Sequence, residues 1–335
     1  MTNEVDVREN DILNIDQDLL SLLLFDHTTR KNIFWATDNY ANLGKGFQSG
    51  DEILIENVTG EYGDVVKPRV KKSKKEQMSR VRDKAEVFTP SWICNSQNNL
   101  IDEAWFKRKN VFNTEIIDED GNPSWIVNTD KIIFPDGKTW QSYVCENRLE
   151  ITCGEAPYIV SRYDTTTGKR IPIERRIGLL DRKIRVINEN VDDTGKWLEA
   201  VQDAYKSTYA FEWQGDNLLL AREAMMFTFI DYYKYKFGKK PLVKSMKYIA
   251  YIVSWNVWQM DGLKGVVPDS CKNNVRTIQN TLFGEENVMT YCNGCQNDNI
   301  RTHNGTYCLI KDWRAKDPNT GSLGKKIRYI DLIKQ

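Results

Sequence analysis

The sequence predicts an α/β protein organised around a parallel sheet, and two features carry that expectation. Short apolar runs, Arg148–Thr152, Thr208–Trp213 and one ending near Asp261, alternate with long segments of helical spacing. Parallel neighbours need such crossovers, because only antiparallel strands can be joined by a tight turn. In addition, each run carries an acid near its end, where parallel sheets gather polar groups around ligands.

The elements follow in order. Residues 1–66 read as a small amino-terminal α/β extension, with helical spacing in "ILNIDQDLLSLLL" and a strand in "KNIFWAT" (Lys31 to Thr37). Residues 67–84, "KPRVKKSKKEQMSRVRDK", are dominated by Lys and Arg with only Glu76 and Asp83 against them. Such a run is first a solvated helix or linker, and otherwise a contact for nucleic-acid phosphates. The core is expected over 85–265. Pro90 biases Thr89 towards extended backbone, and Ser91 is placed to cap a helix through "WICNSQNNLIDEAWF". The turn-rich stretch from Glu115 to Trp140 suggests a hairpin excursion. Ile177, Leu180, Ile184 and Ile187 share one helical face, "WLEAVQDAYKS" continues as helix, and "TYAFEW" is a strand. A long helix, "GDNLLLAREAMMFTFIDYYKYKF", carries Leu218, Ala221, Met225 and Phe229 on one stripe. "YIAYIVSWNVWQMDGL" holds the third strand. Residues 266–335 form a tail rich in Asn and Cys, closing on the apolar "KKIRYIDLIKQ".

Composition narrows the class. The 335 residues are 40% apolar and 28% charged, with zero formal net charge and a mean hydropathy of −0.57, as expected of a soluble globular chain. No apolar run nears the roughly 20 residues of a membrane span. The start "MTNEVDVREN" lacks the apolar core of a secretory leader, and seven scattered cysteines suit a reducing, cytoplasmic setting better than a disulfide framework.

Three strand ends supply a ligand constellation. In "LEITCGEAPY" (Leu149 to Tyr158), Glu150 and Gly154 stand out, the glycine allowing close backbone approach, with Ala156 as the smallest alternative to a second glycine. In "YAFEWQGDNLLLAR", Glu212 ends a strand before a helix, where an acid accepts ribose hydroxyls. In "NVWQMDGL", Asp261 is placed to accept from an adenine amine. Merely solvated strand-end acids are the plain alternative.

With "VFTP" upstream, this ordered set resembles the cofactor-binding half of the N6-adenine DNA methyltransferases of restriction–modification systems, over about Ala85 to Leu263. In that family a Phe-Thr-Pro segment precedes the core, as Phe88, Thr89 and Pro90 do here, and an Asp-Pro-x-Cys-Gly-x-Gly loop cradles S-adenosylmethionine. "EITCGEA" fits that loop with Glu for Asp, Ile for Pro and Ala for the last Gly. The resemblance implies a Rossmann-like core that binds S-adenosylmethionine through Phe88, Thr89, Pro90, Glu150, Cys153, Gly154, Glu155, Ala156, Glu212, Trp213 and Asp261. Trp213 and Trp92 would stand beside the adenine.

The family's base-holding Asn-Pro-Pro-Tyr should follow Leu263. The chain has nine prolines, no two adjacent, and only Pro268 and Pro318 lie beyond that point. "EAPY" comes two strands too early to substitute. The expectation is a DNA methylation subunit without a catalytic residue of its own, which reaches DNA through a second chain carrying that motif and the target-recognition domain; truncation of a longer reading frame would read the same in sequence. The rival is a non-catalytic DNA- or protein-binding module on a degenerate core.

The tail offers a separate chemistry. The Cys292–Cys295 pair in "CNGC" has the spacing of a zinc knuckle, with Cys271 and Cys308 as further ligands and His303 in reserve. Reduced cysteines without metal are the alternative. Cys94, Cys145 and Cys153 read as core thiols, and Asp26-His27 as a turn.

Overall fold

The computed structural model describes residues 9–84, 86–273, 275–281 and 284–333. Ala85, where the core is expected to begin, most of the acidic amino-terminal stretch and the last two residues lie outside that set. The protein is mixed α/β. Strands Arg148–Glu150, Thr208–Glu212 and Val257–Gln259 form a parallel sheet in that spatial order, with Glu150 opposite Ala210 and Glu212 opposite Gln259. Two helices make each crossover: Leu179–Asn190 with Thr194–Lys206, then Gly215–Phe237 with Val243–Asn256.

Local chemistry sets these elements. Leu180, Ile184 and Ile187 recur at helical pitch on the buried side of the first crossover helix. The Asp193 side chain accepts the Lys196 N–H at 2.9 Å and starts the next helix. The Gly215–Phe237 helix is buried continuously from Leu218 to Met226, so the single stripe read from sequence understates it.

The two faces of the sheet are covered differently. Thr208, Ala210 and Val257 face the crossover helices, within the main core. Tyr209, Phe211 and Trp258 point the other way, since neighbours along a strand alternate. They pack with Met260, Cys308, Ile310, Ile327 and Tyr329 of the carboxyl-terminal region. There the antiparallel hairpin Leu309–Lys316 with Leu323–Arg328 lies over the sheet.

Several expectations are corrected. "ILNIDQDLLSLLL" is two helices, because Asp16 caps the second by accepting the Asp18 N–H. In "KNIFWAT" only Lys31–Asn32 pairs as a strand, with Phe25–Asp26. Ser91 is the first helical residue and Pro90 the cap of Ser91–Phe106. The third strand expected in "YIAYIVSWNVWQMDGL" is present as Val257–Gln259, and the residues before it belong to the helix Val243–Asn256, with Met246, Ile249, Ala250 and Val253 buried at helical pitch. The tail holds a second hairpin, Val275–Thr281 with Gly284–Thr290. Among the described residues no helix is long and apolar enough to cross a membrane.

The basic run is also not a plain solvated face. It forms the helix Lys74–Lys84 after a short turn, and both Lys72 and Arg80 are buried. Arg80 contacts Asp216, donates to Glu86 Oε2 at 2.6 Å and reaches the Tyr40 hydroxyl at 3.1 Å. Lys72 Nζ lies 3.4 Å from the same Asp216 oxygen. Although burial opposes its ionisation, Arg80 and Lys72 hold the Asp216 carboxyl well below the usual range. Removing the guanidinium strands two buried carboxylates, which costs about 3–5 kcal/mol. Arg80→Ala should therefore lose stability on that scale in urea denaturation. Lys74→Ala, at an exposed position, should change it by less than about 0.5 kcal/mol.

Candidate cofactor cleft and metal centre

A cleft of about 860 Å³ opens at the carboxyl ends of the first two parallel strands, the place where such sheets bind ligands. It brings together seven of the residues singled out from sequence: Phe88, Thr89, Glu150, Cys153, Gly154, Glu212 and Trp213. Phe88 and Thr89 come from the extended segment after the basic helix. Glu150 ends the first strand, Glu212 ends the second, and Cys153 and Gly154 lie in the loop between. That loop places Thr152, Gly154 and Ala156 at φ of +47°, +53° and +58°. Such backbone costs a non-glycine residue on the order of 1 kcal/mol or more. A Cβ on Gly154 would meet the Phe88 ring at an ordinary 3.5 Å, so the glycine answers the backbone angle and not a lack of room.

The wall is acidic and short of donors. Glu86, Glu150 and Glu212 line it, and none of the described lining residues is Lys, Arg or His. Burial pushes the Glu150 carboxyl well above its usual value, against the Tyr158 and Ile159 backbone N–H groups; its Oε1 accepts from the Tyr158 N–H at a long 3.4 Å, and its Oε2 has no partner. Burial also raises Glu212, to about 7, although the N–H groups of Gly154 (2.8 Å) and Gln214 (3.2 Å) donate to it. Glu86 Oε1, Asn98 Oδ1, Gln214 Oε1 and Asn217 Oδ1 are buried without partners as well. Their amide orientations are fixed: Gln214 Nε2 and Asn217 Nδ2 both donate to Glu86 Oε2, and Asn98 Nδ2 donates to the Tyr158 and Ile177 carbonyls. The unsatisfied atoms are therefore acceptors. Each costs about 1–3 kcal/mol unless a donor meets it.

The other residues expected at this site lie elsewhere. Pro90 caps a helix. Glu155 is buried away from the cleft, accepting from the Arg69 N–H at 2.6 Å and contacting the Tyr163 hydroxyl. Ala156 is fully buried in the main core. Asp261 closes a turn, accepting the Leu263 and Lys264 N–H groups and pairing with Lys264 Nζ at 3.0 Å. Trp92 is exposed on its helix outside the lining. Pro157 and Tyr158 form a turn on the cleft wall. Glu86, Asn98, Gln214 and Asn217 went unrecognised in sequence. Their one signal is position, directly before "VFTP", in the helix after it, or just after Glu212.

A metal-ligand cluster stands in the tail. The ligand atoms of Cys271, Cys292, Cys295 and His303 lie within 4.8 Å of one another. His303 Nδ1 is 3.6, 3.4 and 3.6 Å from the three sulfurs in that order. A zinc ion with ordinary bond lengths and tetrahedral angles would set each sulfur–nitrogen edge at about 3.6 Å. The four residues could thus hold zinc. Burial opposes ionisation of Cys292, yet the Asn304 and Cys295 backbone N–H groups and His303 draw its thiol down to about 6. Gly294 makes the approach possible, since a Cβ there would stand 2.6 Å from His303 Cγ and Nδ1. Cys308 is corrected: it is buried in the sheet-covering cluster, and its thiol faces the Gln259 carbonyl at 3.3 Å.

No family model matches the chain, and neither does any curated protein or solved structure.

Metal analysis of protein purified under reducing conditions should give about one zinc per chain. Cys292→Ser and Gly294→Ala should lower that content, while Cys308→Ser should leave it unchanged. Glu212 makes a second expectation. Its folded pKa, about 7, lies above the usual 4.5. Its contribution to stability is therefore complete below 4.5 and is lost as pH rises through 7. Urea denaturation from about pH 5 to pH 8 should show a decline that is flatter in Glu212→Gln by about 2 kcal/mol.

Proposed function

We propose that the cleft binds S-adenosylmethionine and that the chain is the cofactor-binding subunit of an adenine-N6 DNA methyltransferase with a Rossmann-like core. One observation carries this reading: three carboxylates and several unpartnered acceptors line the cleft with no cation among the described lining residues. A phosphate-bearing nucleotide would find no cation there. S-adenosylmethionine instead offers a sulfonium, an ammonium, two ribose hydroxyls and an adenine amine. Glu150 would take the ammonium and Glu212 the ribose. A free Glu150 oxygen and the raised affinity of both groups for protons suit a donor-rich ligand.

A partner chain supplies the rest. Amine methylation on DNA needs a flipped base held by its own pocket, and this chain has no adjacent prolines to build the family's clamp. Val87, Ile101, Leu149 and Ile151, all exposed, line the cleft; an apolar rim of this kind supports a covering partner. The binding-module reading is favoured by one contact: the Gly154 N–H donates to Glu212 and is not left for a ligand.

Calorimetry separates the two. Binding of S-adenosylmethionine, weakened roughly tenfold or more in Glu212→Ala and unchanged in Glu103→Ala, is expected from loss of a charged hydrogen-bond acceptor. Absence of binding, alone and with a partner chain, would leave the binding-module reading.

A further inference from the structure

A second groove lies on the opposite side of the sheet from the crossover helices. It has a volume of about 240 Å³ and runs between the edge strand Arg148–Glu150 and the carboxyl-terminal hairpin. Arg148, Lys206, Lys311 and Arg314 line it against one acid, Asp312. Asp312 is already engaged, its Oδ1 accepting the Arg314 and Ala315 N–H groups. Among the described residues Lys311 and Arg314 have no carboxylate within salt-bridge reach; they hold the Tyr251 hydroxyl and the Cys145 carbonyl instead. Arg148 Nη2 is buried with no partner, a donor that costs about 1–3 kcal/mol until an acceptor meets it.

The same groove is aromatic. Tyr209, Trp313 and Tyr329 line it half-buried, with the buried Trp258 behind them. The Trp313 ring is fixed by its Nε1–H, which donates to Asn256 Oδ1 at 2.8 Å, and by Lys311 Nζ stacked 4.5 Å from its centroid. Cations along a groove with rigid rings beside them are what single-stranded nucleic acids use, phosphates meeting the cations and bases stacking on the rings. The basic helix Lys74–Lys84 lacks such rings and has Arg80 committed inside. We infer that this groove binds a single-stranded nucleic-acid segment. Leu149 lines both this groove and the cofactor cleft, so the strand would pass beside the cleft mouth. The inference rests on the groove alone and stands or falls apart from the cofactor reading.

Fluorescence anisotropy of the full chain with labelled oligothymidylate and oligouridylate tests it without any cofactor. Both Lys206→Glu and Arg314→Glu should weaken binding at least about tenfold and reduce the slope of log affinity against log salt by about one. They sit on separate elements, a crossover helix and the hairpin, so a shared folding defect would not explain a shared loss. Tryptophan fluorescence should be quenched on binding, and Lys74→Glu should have no effect. A preference for one sugar identifies DNA or RNA as the source, either being support. Three results would overturn the inference: no binding at low salt, loss on Lys74→Glu with Arg314→Glu unaffected, or full displacement by an equal charge of inorganic polyphosphate.

Discussion

The Arg80 guanidinium, buried between Asp216 and Glu86, is the contact on which the architecture of the cleft depends. It ties the basic helix and the extended segment that follows it, which carries Phe88 and Thr89, to the start of the Gly215–Phe237 helix, 136 positions beyond Arg80. Stripping water from an arginine costs several kcal/mol and is offset only where partners surround it. Two carboxylates and the Tyr40 hydroxyl do so here. The consequence reaches the site. Glu86 spends one oxygen on Arg80, Gln214 and Asn217, leaves the other unpartnered, and lies on the wall of the cleft.

The sheet has one face for helices and one for the tail, and the metal cluster belongs with the second. After the third strand the chain turns at Asp261, bridges to Val266, and Val266 bridges to Tyr307. The Cys308 N–H then donates to the Gly265 carbonyl at 3.0 Å. Cys271, Cys292, Cys295 and His303 pin the loops between these points. A metal there would act as a covalent-strength tie for a region with few apolar residues of its own. It would steady the hairpin that covers Phe211 and Trp258 and walls the second groove.

Much of the scaffold was legible because the information is local. The helices Ser91–Phe106, Leu179–Asn190, Thr194–Lys206 and Gly215–Phe237, and the strands around Glu150 and Glu212, follow from spacing and breakers within each segment. What failed depends on distant partners. The third strand is where expected but its start is not legible: Tyr, Ile, Val and Trp in residues 248–258 all favour strand by type, yet packing keeps the chain helical to Asn256 and leaves Val257–Gln259 as the strand. The basic run looks solvated until Asp216, 136 positions beyond Arg80, enters it. The Cys292–Cys295 knuckle was readable, whereas the choice of His303 over Cys308 is set by which loop folds back onto Gly294. The cleft acids were visible as strand-end residues; the amides around them, Asn98, Gln214 and Asn217, carry no spacing signal.

Hydrogen–deuterium exchange of the purified chain with and without S-adenosylmethionine tests the central claim most directly. The account predicts slower exchange confined to residues 86–89, 150–158 and 212–217, the segments that line the cleft, in proportion to occupancy. Unchanged exchange at saturating S-adenosylmethionine, or protection located only in the loops of the Cys271, Cys292, Cys295 and His303 cluster and the hairpin, would contradict it.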